Sequence, residues 1–263
     1  AEIAALTDGF SSITIGRTGD GTGAVDVDAV TFTDNVVIAG GAIAVTGLNA
    51  GANTVTLAAR GAVAITDGDG ATTLDITGTT VTLTATADGG AIGASGAAND
   101  INVTLSGTLT ASAADGTGGI FISQTGDLTL GAVDADVTGD VEIETTGTLD
   151  TTAAADIVGN NVTLTLAADK LLTVDADTSI TGETNVTLVS DEMTLSSAGG
   201  DLIKGGTTLT LRAVENDTLL KIGTAADVTG PDGAGTLGFD AEDIAALDDS
   251  SGAIVFGSAT IHG

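Results

Sequence analysis

The chain has 263 residues, of which 36 are acidic and six are basic, so its formal net charge is −30 at pH 7. This excess of carboxylates argues against binding to nucleic acid or to anionic lipid, which needs basic side chains. Because the chain has no cysteine and one histidine, it can form neither a disulfide framework nor a thiolate or multi-histidine metal site. No apolar run reaches the length of about 18 residues expected of a transmembrane helix.

Hydrophobic residues make up 42% of the chain, which is too much for a disordered tail. The chain contains 39 glycines, one proline, five phenylalanines, and no tryptophan or tyrosine. A core with so few aromatic side chains packs well only in thin, regularly stacked layers. The composition therefore favours a solenoid over a globule.

In chain order, the first predicted element is a short helix over Ala1–Leu6, in which Ile3 and Leu6 lie on one face. Short runs of alternating β-branched and apolar residues then recur along the chain and predict strands with one buried face. The clearest of these runs are Thr54–Leu57, Val81–Thr84, Val103–Leu105, Leu128–Leu130, Val162–Leu166, Val186–Leu188 and Leu209–Leu211.

The segment Thr66-Asp-Gly-Asp-Gly70, followed by Asp75, is a candidate cation site. Carboxylates two residues apart beside glycine can converge on one calcium ion, so we take Asp67, Asp69 and Asp75 as its ligands. Asp-Gly is also common corner chemistry, and the late glutamate of an EF-hand loop is missing. A solvated turn is therefore the alternative interpretation.

A second signal predicts how the strands are arranged. Ile157, Ile180 and Ile203 are evenly spaced along the chain, and each begins an Ile-x-Gly motif before a Val-Thr-Leu or Leu-Thr-Leu strand. A spacing of roughly 20 to 25 residues corresponds to one turn of a parallel β-helix, with glycine where φ is positive or the walls approach closely. We therefore predict an all-β fold, a parallel β-helix (β-solenoid) of about 10–11 turns, in preference to a β-sandwich.

The end of the chain repeats its beginning. Ala241–Gly257 matches Ala1–Gly16 with one extra residue, Asp243. The repeat includes a second predicted helix, Ala241–Leu247, in which Ile244 and Leu247 share one face. Residues 1–240 then form one solenoid module, and residues 241–263 begin the next module or join it. We expect the self-association residues to be Ala1, Glu2, Ile3, Leu6, Ile244 and Leu247.

Asn102, Asn161, Asn185 and Asn216 each match the N-glycosylation pattern. Three of them lie at the start of a repeated strand, where asparagine suits a corner, so we assign them a structural role. The irregular stretch Ala87–Asp100 is the best candidate for a ligand-binding loop.

The Ile-x-Gly-x-x-x-Val-Thr-Leu turns and the repeated Ala-Glu-Ile-Ala-Ala-Leu boundary resemble the repeat regions of large bacterial surface exoproteins of the filamentous-haemagglutinin type. The resemblance covers essentially the whole chain and rests on repeat style. It implies a right-handed parallel β-helix, secretion to the cell exterior, and a role as an adhesin stalk or extracellular fibre. No catalytic residues carry over from it.

These observations favour a structural, non-enzymatic module of an extracellular bacterial fibre, stalk or filament. Its partners would be copies of itself joined end to end, and its one candidate cofactor would be Ca²⁺. The first alternative is an adhesin module that binds a cell-surface or host ligand through a lateral face. The second is a polysaccharide-cleaving β-helix, although sugar subsites usually carry aromatic platforms and this chain has no tryptophan or tyrosine.

Overall fold

The computed structural model contains parallel strands stacked into a β-solenoid of about eight turns, which confirms the predicted fold class. It describes residues 3, 6, 8–19, 21–61, 65–113, 117–153, 155–196, 200, 202–214, 219–223 and 236–257. No helix among these residues has the length and apolar character needed to cross a membrane.

The described residues form 25 strands and one helix. The strands are β1 Ile13–Gly16, β2 Val25–Val27, β3 Val30–Thr31, β4 Val36–Gly40, β5 Ile43–Val45, β6 Leu48–Asn49, β7 Val55–Ala59, β8 Ile65–Asp67, β9 Ile76–Gly78, β10 Val81–Ala85, β11 Ile101–Leu105, β12 Thr108–Ala113, β13 Ile120–Gln124, β14 Leu128–Asp134, β15 Val141–Thr145, β16 Leu149–Thr151, β17 Asp156–Leu166, β18 Leu171–Val174, β19 Ser179–Val189, β20 Glu192–Leu195, β21 Ile203–Gly205, β22 Thr208–Arg212, β23 Leu219–Ile222, β24 Thr236–Phe239 and β25 Ile254–Phe256. The helix is α1, Ala241–Ala245.

Successive turns stack in register, and each contributes parallel strands to the walls. Val36, Val55, Val81 and Leu109 occupy equivalent positions on four consecutive turns, so the turns between them become longer along the chain. The last step is longer still, because Leu209 pairs with Ile254 and the chain between them contains β23, β24 and α1. The chain therefore forms fewer turns than the predicted ten or eleven.

The period-two alternation of the sequence separates the inner face of each wall from the outer face. In β10, Val81, Leu83 and Ala85 are fully buried, whereas the intervening threonines are partly exposed. The same pattern recurs in β7, β11 and β15, so small aliphatic side chains stack on one another along the axis. Burial of each such side chain contributes about 1.5–3 kcal/mol, which makes this stack the main apolar contribution to stability.

The glycines of the Ile-x-Gly motifs lie where a side chain would meet nearby backbone. Gly159, Gly182 and Gly205 do not have positive φ. A Cβ at Gly182 would overlap the carbonyl oxygen of Asn185, and one at Gly205 would overlap that of Thr208. Of the two reasons the sequence left open for these glycines, the structure selects the steric one.

One corner of the solenoid carries a column of stacked polar side chains. The side-chain amide of Asn185 donates to Asn161 Oδ1 at 2.8 Å, and the amide of Asn161 donates to Asp140 Oδ1 at 2.8 Å. Thr184 Oγ1 donates to Asn160 Oδ1 at 2.7 Å in the same column. These bonds join consecutive turns and agree with the structural role expected of Asn161 and Asn185.

Substitution of Gly182 tests the close-approach argument. We expect Gly182→Ala to lower the free energy of unfolding by about 1–3 kcal/mol, because the methyl group forces neighbouring backbone apart. Urea denaturation followed by circular dichroism measures the change. The matched control is Gly238→Ala in β24, where a Cβ meets nothing within 4 Å. Equal stability of the two variants would contradict the argument.

Candidate functional site

The first copy of the duplicated segment lies at an open end of the solenoid. Among the described residues, β1 pairs with β4 alone, so its other edge has no strand beside it. An open cavity of about 470 Å³ exposes the end of the core here, and its apolar lining includes Ile3, Ile15, Val25 and Phe32. Leu6 projects outward with 42% of its surface exposed. This end therefore presents both free backbone groups and uncovered apolar side chains.

The second copy lies on the last turn of the same solenoid. Leu247 is 5% exposed and forms a parallel bridge with Ile203 of β21. Asp248 N donates to Ile203 O at 2.9 Å, and β25 pairs with β22. This copy therefore covers the core at the end opposite to the cavity.

The described residues of the two copies share two local features. Gly16, the last residue of β1, and Gly257, the residue that follows β25, have φ of 87° and 88°. Leu6 N donates to Ile3 O at 3.0 Å, and Leu247 N donates to Ile244 O at 3.2 Å. The exposed Leu6 and the buried Leu247 are thus the same position in two settings, one without and one with a preceding turn.

The equivalent strands also use opposite edges for hydrogen bonding. Ile13 N donates to Asn35 O at 2.7 Å, so alternate residues of β1 face the following turn and Thr14 and Gly16 face away. In β25 the equivalent of Gly16, Gly257, donates to Leu211 O at 2.8 Å, toward the preceding turn. Taken together, β1 and β25 show that a strand of this sequence can hydrogen-bond to a following turn along one edge and to a preceding turn along the other edge.

The inserted residue Asp243 attaches the second copy to the solenoid. Its Oδ1 accepts from Leu195 N of β20 at 2.8 Å, and its Oδ2 accepts from Asp240 N at 2.9 Å. Asp240 in turn caps α1 by accepting from the backbone of Glu242 and Asp243. Burial raises the pKa of Asp243. The first copy has no residue at this position, so this anchor belongs to the second copy.

Of the predicted self-association residues, Ala1 and Glu2 lie outside the described residues. Ile3 lines the cavity, Leu6 and Ile244 are exposed, and Leu247 is already packed inside the chain. The exposed fraction of Ile244 is 37%. The exposed members, Leu6 and Ile244, lie at opposite ends of the solenoid, whereas the burial of Leu247 leaves it little surface for contact with another copy.

The structure brings together the three predicted cation ligands. Carboxylate oxygens of Asp67, Asp69 and Asp75 all lie within 4.8 Å of one another. Asp67 ends β8 and Asp75 immediately precedes β9, so a short corner loop returns the chain to the same place. Thr73 Oγ1 donates to Asp69 Oδ2 at 2.8 Å, and this bond holds the pKa of Asp69 below its ordinary value.

Asp75 differs from the other two carboxylates in its burial. Its side chain is fully buried, and burial raises its pKa to about 7, with a further contribution from the charges of Asp67 and Asp69. Oδ2 accepts from Asn102 N of the next turn at 2.8 Å. Oδ1 has no hydrogen-bond partner among the described residues.

A second acidic group was not predicted from the sequence. Asp100 is 4% exposed, and burial raises its pKa to about 6, with added repulsion from Glu142 and Glu144. Burial also raises the pKa of Glu142. The alternating Glu-Ile-Glu of β15 shows that two glutamates share an outer face, but only the stacking of turns brings Asp100 beside them.

The stretch Ala87–Asp100 contains the fully buried Ile92, which bridges to Ile65 and Ile120 and so continues one wall.

Comparison of the chain with protein-family models, curated proteins and solved structures finds no match. The functional proposal therefore rests on the geometry of the chain itself.

The raised pKa of Asp75 predicts a pH dependence of stability. The unfolded chain releases this proton near the ordinary pKa of 3.8, whereas the folded chain holds it to about 7. The stabilisation of the folded state by this proton is complete below about pH 4 and is lost as pH rises through about 7. We expect urea denaturation between pH 5 and 8, with EDTA present, to show stability falling over this range.

The variant Asp75→Asn should lose the contribution of Asp75 to this slope at all pH values up to about 7, and the loss should be clearest between about pH 6 and 7. The variant Asp100→Asn is the control, because its pKa of about 6 affects stability mainly at lower pH. An unchanged slope in Asp75→Asn would show that Asp75 is not the buried acid responsible.

Proposed function

We propose that the chain is a structural β-solenoid module of an extracellular bacterial fibre, stalk or filament. Copies join end to end, either within one longer polypeptide or as a non-covalent polymer. The extracellular assignment is supported by the cysteine-free, strongly acidic composition and by the repeat style of the turns. A solenoid suits this role because each turn contacts its neighbours along one axis, so length is added without a new core design.

The duplicated segment at the two ends of the solenoid is the main support for end-to-end joining. In the part of the chain that the structure describes, one copy offers a strand whose upstream edge is unpaired, and the equivalent edge of the other copy is bonded to β22. Where Leu247 rests on Ile203, the equivalent Leu6 is exposed. A preceding unit would cover Leu6 by placing its own last turn, with β25, beside the open edge of β1. The joint would then be one more turn of the same parallel ladder.

Substitution of Leu6 tests the end-to-end contact. We expect the weight-average mass of the unmodified chain to rise with concentration in analytical ultracentrifugation at 0.15 M NaCl, where salt screens the repulsion between highly acidic copies. Leu6→Asp should weaken this association by about 10- to 100-fold, because burial of one leucine contributes about 1.5–3 kcal/mol. Electron micrographs should show rods growing in length at constant width.

The matched control is Val137→Asp. Val137 is 48% exposed, close to the 42% of Leu6, but lies at a corner between β14 and β15 on the side of the solenoid. Thermal unfolding checks that both variants fold. Association that is equally weak in both variants, or a chain that stays monomeric at millimolar concentration, would contradict the proposal.

A further inference from the structure

The corner between β8 and β9 combines the acidic cluster with a buried carboxylate oxygen that lacks a partner. Asp75 has no exposed surface, yet its Oδ1 accepts no hydrogen bond from the described residues. A buried carboxylate in this state costs free energy unless a proton or a cation compensates it. The carboxylates within 4.8 Å are those of Asp67 and Asp69, so the surroundings of Asp75 supply negative charge. This orphaned oxygen is an observation separate from the clustering itself, and it points to a missing positive charge.

The separations fit a calcium ion. Calcium binds oxygen at roughly 2.3–2.6 Å, so two ligands on opposite sides of it lie about 4.6–5.2 Å apart. Three oxygens that all lie within 4.8 Å of one another can therefore share one ion. Magnesium is smaller, requires nearly ideal octahedral geometry and keeps most of its water, so a site in which three protein carboxylates share the ion suits it less well.

The remaining hydrogen bonds already hold the loop in a shape that presents these oxygens. Asp67 Oδ1 accepts from Asp69 N at 2.9 Å, and Asp67 Oδ2 accepts from Ala71 N at 3.0 Å. Asp75 Oδ2 is bonded to the backbone of Asn102 on the next turn. Carboxylate oxygens retain lone pairs after one such bond, so these contacts leave room for a cation.

We propose that Asp67, Asp69 and Asp75 bind one Ca²⁺, which closes the β8–β9 corner and fastens it through Asp75 to the next turn. Binding occurs within a single chain, so it is independent of whether copies join end to end.

Calcium titration of the full chain by isothermal calorimetry tests this site. At pH 7.5 in 0.1 M KCl, which suppresses diffuse binding to the acidic surface, we expect one saturable site per chain and an increase in thermal midpoint with calcium. Asp75→Asn should weaken binding at least tenfold and remove the calcium-dependent rise in midpoint.

The matched control is Asp34→Asn. Asp34 is also buried, at 4% exposure, and its Oδ2 also lacks a partner among the described residues, but it is not part of the three-carboxylate cluster. The Asp34→Asn variant should bind calcium with the same affinity as the unmodified chain. Equal binding by the unmodified chain and Asp75→Asn, or no saturable site in either, would overturn the proposal. Magnesium bound as tightly as calcium would overturn the assignment of the ion.

Discussion

The parallel backbone ladder along the axis is the constraint on which the rest of this structure depends. Among the described residues, most strands bond to a strand of the turn before and to a strand of the turn after, whereas β1 and β25 at the ends each bond to one strand only. Each turn must therefore present its strands at the same positions, whatever its length. Turns of unequal length meet this requirement because their extra residues are accommodated at the corners.

Several features of the side chains follow from this stacking. Small aliphatic residues fill the interior, and glycine is needed where a side chain would overlap the backbone carbonyl of the residue three positions later, as at Gly182 and Gly205. Polar columns form at the corners because equivalent residues of consecutive turns lie side by side, as Asn161 and Asn185 do. The stacking of turns also brings acidic residues close to one another, but their proximity is unfavourable because like charges repel each other. Asp100 approaches Glu142 and Glu144 through stacking, and its carboxyl retains its proton to a higher pH as a result.

The ladder also explains why the ends matter for function. In an ordinary solenoid a capping element covers the last rung and stops growth. Here the segment that covers one end repeats the sequence of the segment that is uncovered at the other end. Leu247 and Leu6 are equivalent positions of the two copies. Leu247 is buried because it packs on a preceding turn, and Leu6 is exposed because it has no such turn. Asp243 fastens the covering copy, so the final rung is held in place even though its outer edge has no strand beside it among the described residues.

Local patterns in the sequence were sufficient to predict the fold and the acidic cluster. Alternation in runs such as Val81–Thr84 defines the strands, and the recurring Ile-x-Gly defines the turn. Asp67, Asp69 and Asp75 could be grouped because they are close along the chain, where a short loop leaves few ways to separate them. The duplicated segment was visible for the same reason, since repetition requires no knowledge of contacts.

Tertiary structure alone decided the properties that depend on which turns are neighbours. Turn length varies, so sequence spacing overestimated the number of turns and could not place Asp100 beside glutamates that are distant from it along the chain. Burial of Asp75, and with it the unpartnered Oδ1, arises from the turn stacked against it at Asn102. The opposite use of the edges of β1 and β25 likewise appears only when each strand is set against its partner. Composition and periodicity determine the strands of each turn, whereas long-range stacking determines which residues of neighbouring turns come into contact.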